Sequence, residues 1–97
     1  METKSRPQVH IIVEGKTYKA LEVIGYPGTV MPHHYSTGEA VIMVKKGKAL
    51  LKMCDDEHKL EMGSVYIIPA KKEHSLTILG EFEAVVIMAI DSAIQFI

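Results

Sequence analysis

The chain has one cysteine, no excess of charge of either sign and no long apolar run, and each lack removes a class of protein. Cys54 alone cannot close an internal disulfide, and no CxxC accompanies it, so neither a disulfide scaffold nor a dithiol redox centre is available. It ends the apolar stretch ALLKMC, where a thiol is expected to pack as a small hydrophobe. Eleven basic side chains against twelve acidic ones leave a formal charge of −1. Such a balance gives no broad surface that attracts phosphate backbones or anionic lipid, so neither nucleic acid nor a membrane is expected as a partner. No apolar run approaches the roughly 20 residues needed to span a bilayer. The opening METKSRPQVHIIVEGK has no core of signal-peptide type, which makes the cytoplasm the expected location. Internal repeats, low-complexity tracts, a P-loop, a dinucleotide fingerprint and a nucleophile elbow are also missing.

What is present is enough apolar material, 47% of 97 residues, for one packed core, so residues 1–97 read as a single domain. Short apolar runs alternate with turn chemistry: VHIIV (9–13) then EGK, YKALEVI (18–24) then GYPGT, EAVIMV (39–44) then KKGK, and ALLKMC (49–54) then DDEH. The series continues with SVYIIP (64–69) then AKKE, HSLTIL (74–79) then GE, and FEAVVIMAI (82–90). Enrichment in Val and Ile, with Gly, Pro or Asp at the breaks, predicts an all-β sandwich or barrel. The β-branched run at 85–87 is costly in a helix and predicts a strand there. The tail DSAIQFI is expected as a short turn or an apolar flap that packs on the domain or on a second subunit.

Two spacings sharpen this reading. GSVYIIPAKKEH places Gly63, Pro69 and His74 as in the second motif of the cupins, G-x5-P-x-G-x2-H-x3-N, with Lys71 in place of the internal glycine and Ile78 in place of the asparagine. GTVMPHHYSTGEAVIMVKKG places Gly28, His34 and Gly47 in the frame of their first motif, G-x5-H-x-H-x3or4-E-x6-G, with Ser36 where the second histidine belongs and Ala40 where the glutamate belongs. The chain therefore resembles a small single-domain cupin with a degenerate first motif (28–47) and a second motif at 63–74. The resemblance implies a double-stranded β-helix, a jelly-roll-like barrel whose interior carries the function. It also implies a site that, when complete, uses three imidazoles and a carboxylate to hold Fe, Mn, Ni, Cu or Zn.

Strand alternation limits what this chain can bring inside. His33 and His34 cannot both face inward from a regular strand; the motif frame selects His34, with Ser36 inward and His33 and Tyr35 outward. By the same parity Ala40, Ile42 and Val44 face in and Glu39 faces out, unless a bulge at Gly38 turns Glu39 over. The candidate pocket is thus His34, Ser36 and His74, with Tyr66 as a hydroxyl donor, and the candidate metal ligands are His34, His74 and Glu39. His10 and His58 are expected at the surface. Three functions stay open. The first is a module binding a small molecule in the barrel, and the second a metal-dependent enzyme of dioxygenase, isomerase or decarboxylase type. The third is a barrel acting through association, with a homodimer built on exposed strand edges and the apolar FEAVVIMAI and QFI segments.

Overall fold

The computed structural model describes residues 6–97, so METKS, at the head of the expected 1–97 domain, lies outside the described residues. Ten strands succeed one another: β1 (Gln8–Glu14), β2 (Tyr18–Gly25), β3 (Val30–Ser36), β4 (Ala40–Lys46), β5 (Lys48–Met53), β6 (Asp56–Glu61), β7 (Val65–Ile68), β8 (His74–Ile78), β9 (Phe82–Ala89) and β10 (Ile94–Phe96). Among the described residues there is no helix, and so none long and apolar enough to cross a membrane.

A period of two makes these strands. Along β9 the side chains of Phe82, Ala84, Val86 and Met88 are buried while those between them are only half covered. Along β4 the buried set is Ala40, Ile42 and Val44, as parity requires. The strands assemble into two antiparallel sheets, β1-β2-β9-β4-β7 and β10-β3-β8-β5-β6, whose inner faces share one core. Consecutive strands repeatedly cross from one sheet to the other, which is the jelly-roll arrangement. Complete burial of Phe82, Leu51 and Ile78 contributes about 1.5–3 kcal/mol for each side chain. At the β4–β5 turn Gly47 has φ +85°, and a Cβ there would run into the Glu81 carbonyl, so only glycine fits.

The structure corrects three expectations. First, the sheets form a sandwich and do not close into a hydrogen-bonded barrel; β6 and β7 end their sheets and meet through side chains, with Tyr66 against His58, so no ladder joins them. Second, the turn after β5 is Cys54–Asp55, and Asp56 already pairs with Met53, so β6 begins where a loop was expected. Cys54 therefore sits exposed at a hairpin tip, because the tight turn projects its side chain away from both sheets.

Third, FEAVVIMAI offers no free edge: as β9 it lies between β2 and β4. One exposed apolar edge is β1, which ends its sheet with a ladder partner on one side only and has all seven residues exposed. The tail, expected to pack on the domain or on a second subunit, docks on the domain. β10 pairs with β3, setting Phe96 opposite His34, and the Ser92 hydroxyl accepts from the Gly38 N–H at 3.0 Å.

Candidate functional site

His34 and His74 are directly opposed on β3 and β8, adjacent inner strands of one sheet. The way β3 delivers His34 is irregular. Met31 pairs with Leu76 and His34 with His74, so β3 spends three steps where β8 spends two. The extra residue makes a bulge at Pro32 and His33, at the point where proline has no N–H to give the ladder. Without it, the parity that buries Met31 would also bury His33; with it, Met31 and His34 are both buried and His33 is exposed. On β8's side the approach is set by Lys71, whose N–H donates to the Ser36 carbonyl at 2.8 Å. Lys71 has φ +61°, so the position where the motif has glycine keeps the left-handed backbone under a side chain.

The two rings are only 5% and 4% exposed and meet edge to face, with centroids 4.2 Å apart. In each, Nδ1 donates to the carbonyl two residues earlier, Pro32 for His34 and Lys72 for His74, the latter at 2.8 Å. A carbonyl can only accept, so the proton sits on Nδ1 and Nε2 is left as a bare acceptor. Neither Nε2 has a protein hydrogen-bond partner among the described residues, and neither is fully enclosed by protein atoms. Burial strips water from His34 and lowers its pKa from 6.5 to about 4; the Pro32 carbonyl opposes this, and repulsion from His74 and His33 adds to it. Burial lowers the pKa of His74 as well, against the pull of the Lys72 carbonyl. Near neutral pH both imidazoles are uncharged.

The rings open on a cavity of about 40 Å³ between the sheets, lined by His34, His74 and Ser36 among otherwise apolar side chains such as Leu51, Ile42 and Val86. Three predicted residues thus come together. Two do not. Glu39 is exposed, and no bulge at Gly38 turns it inward: the Gly38 N–H is held by Ser92, and the strand's irregularity lies upstream at Pro32. Tyr66 packs on the core but does not line the cavity; its hydroxyl lies 3.0 Å from His58 Nε2. His58, expected at the plain surface, faces inward on β6, where the same Nε2 lies 3.0 Å from the Asp56 carboxylate. Period two from the buried Leu60 would have placed it there, had 56–61 been read as a strand.

The metal set implied by the resemblance does not fit this site. Its donors are two imidazoles and a serine hydroxyl, and among the described residues no three His, Cys, Asp or Glu side chains converge. First-row metals in protein sites take three or four such donors.

Two crossed sheets with a polar pair at the centre define a double-stranded β-helix protein with an interior site. The family model of the cupin domain matches residues 21–90, and the chain belongs to that family. A comparison with curated proteins returns no match. Among solved structures the fold is similar to an RmlC-like cupin protein from Desulfovibrio desulfuricans (TM-score 0.77, 21% identity, 87% of this chain and 82% of that one). It is also similar to the DMSP lyase DddQ from Ruegeria pomeroyi (0.84, 18%, 94% and 51%), of which this chain spans about half the length. A third similar structure is KdgF from a Halomonas species (0.76, 16%, 92% and 84%). At these identities the likeness concerns the fold.

Proposed function

We propose that the protein is a small-molecule binding module whose interior site takes a hydrogen-bond-donating group. The observation that carries this is the pair of uncharged Nε2 acceptors facing an apolar chamber without protein partners. A donor such as a hydroxyl that reaches one of these acceptors gains about 0.5–1.5 kcal/mol, the ordinary net worth of a hydrogen bond. The chamber's 40 Å³ is room for about three water-sized groups, so it admits the end of a ligand and not a drug-sized body. The incomplete donor set favours this reading over the metal-dependent enzymes that the same family contains.

Long-range nitrogen NMR of the histidine rings tests it, with 1-butanol as probe and protein purified without a metal-affinity tag. The expected result is a shift of at least one of the two Nε2 signals on adding the alcohol, with the signals of the other histidines unmoved. Unmoved rings, together with a rise in Tm on one equivalent of Fe, Mn, Ni, Cu or Zn, would replace this reading by the metal-dependent one.

Self-association through β1 belongs to the same proposal. A free edge carrying Ile11, Ile12 and Val13 at 51%, 50% and 60% exposure is a template for a second strand, and a second copy of β1 supplies one by two-fold symmetry. Sedimentation at micromolar concentration should show a dimer that Ile11→Lys converts to monomer; a wild-type monomer would remove this part.

A further inference from the structure

Outside the chamber lies a second space, a groove of about 340 Å³ lined by Arg6, Pro7, Val9, Met31, Ile94 and Phe96. Val9, Met31 and Ile94 line both spaces, so the groove and the chamber that holds the histidine pair share a wall. Met31 is unbranched and adaptable, the type of side chain that yields when a ligand enters. Rings mark the same path. From His34 it is 5.3 Å to the centroid of Phe96, and from that ring 5.1 Å to the Arg6 guanidinium carbon above it. Arg6 is exposed and permanently charged, and it has no carboxylate partner among the described residues. The path therefore begins at neutral acceptors in a mostly apolar chamber, crosses apolar wall, and ends at a fixed cation in water.

From this polarity we infer that the ligand class is the short-chain hydroxy acid, its hydroxyl at the Nε2 pair and its carboxylate at Arg6. The inference rests on the proposed binding function and deepens it. The order of the groups follows from the cost of burial. A carboxylate in the inner chamber would meet two acceptors and no cation, whereas a hydroxyl there donates to one and leaves the charge outside. An ammonium end is disfavoured at both places, by desolvation within and by Arg6 without. Phe96 holds the guanidinium by a cation–π contact over the groove, so the cation is in position before the ligand arrives.

Titration calorimetry on the wild type and on Arg6→Gln, with 6-hydroxyhexanoate, hexanoate and 1-hexanol as probes, tests this. Ring NMR reports where each probe sits. The hydroxy acid should bind about tenfold tighter than 1-hexanol in the wild type, the gain of one exposed charge-assisted contact, and the gap should close in Arg6→Gln and shrink in high salt. Hexanoate should bind more weakly than the hydroxy acid and leave the ring signals in place. Equal binding of hydroxy acid and alcohol, or a gap that survives Arg6→Gln, would overturn the assignment of the acid while the alcohol's effect on the rings kept the interior site. If no probe moves the rings, the binding reading falls with it.

Discussion

Two histidine clusters lie between the same two sheets, and they differ in almost every chemical respect. His34 and His74 sit on inner strands of their sheet, are almost fully buried, and give their Nδ1 protons to backbone carbonyls. His58 sits on an edge strand with a third of its side chain exposed, and one nitrogen lies within reach of both the Asp56 carboxylate and the Tyr66 hydroxyl. A single ring N–H cannot donate to Asp56 while the same nitrogen accepts from Tyr66, so this cluster has more partners than one neutral tautomer can satisfy. All three histidines hydrogen-bond to the residue two positions earlier in the chain. What differs is the strand's rank in the sheet. An inner strand keeps water away and leaves the carbonyl as partner; an edge strand admits water and lets charged side chains compete.

Acid is the strongest way to separate the two clusters. The folded pKa of His34, about 4, lies below the unfolded 6.5, so the unfolded chain binds more protons between these values and stability must rise with pH there. The contribution is fully present above pH 6.5 and is lost as pH falls to 4. For a shift of this size it is about 3 kcal/mol, and urea denaturation across that range should show it in wild type and lose most of it in His34→Gln.

Next comes truncation: His34→Ala should cost about 2–3 kcal/mol by leaving a cavity and an unmet carbonyl. The same measurement on His58→Ala should give less than about 1 kcal/mol, since solvent replaces its partners. Equal costs would dissolve the distinction. Backbone strain at the buried pair gives a smaller and opposite effect. Lys71→Gly should stabilise by about 1 kcal/mol, because glycine takes φ +61° without a Cβ penalty and keeps the N–H bond to Ser36. Smallest of all, Tyr66→Phe should change stability by less than about 0.5 kcal/mol, because its hydroxyl bond is shared and reached by water.

Alternation made the strands and the inner face of β4 readable from the chain, since Ala40, Ile42 and Val44 repeat at the period of a pleat. The glycine frame pointed to His34 and His74 because turns with left-handed residues recur at fixed distances from the strands they begin: Gly28, Gly47 and Gly63 all have positive φ. Less legible were β6, whose charged DEHKLE hides a strand with one buried leucine, and β10, a three-residue strand held by its pairing with β3 and by Ile94 packed on the core. Such elements depend on tertiary partners, not on their own pattern. Residue type alone makes Gly38 a possible bulge, but the irregularity falls in β3 between Met31 and His34, at the proline. Parity gives Tyr66 its face and not its position along it: Ile68, two residues on in β7, lines the chamber, while the Tyr66 hydroxyl reaches His58.

The irregularity in β3 also sets the tautomer of His34. In an unbroken ladder each backbone carbonyl is committed to the neighbouring strand, yet Pro32 and His33 have no partner in the β8 register. The Pro32 carbonyl that this defect releases is the one that takes the His34 proton. A chain with Pro32 deleted would keep Met31 and His34 on the same face, at regular alternation, while losing the acceptor that holds the ring. Its histidine would then be free to turn over and present a donor where the native protein presents a lone pair. One residue of slack in a strand thus decides which half of a hydrogen bond the interior has to offer.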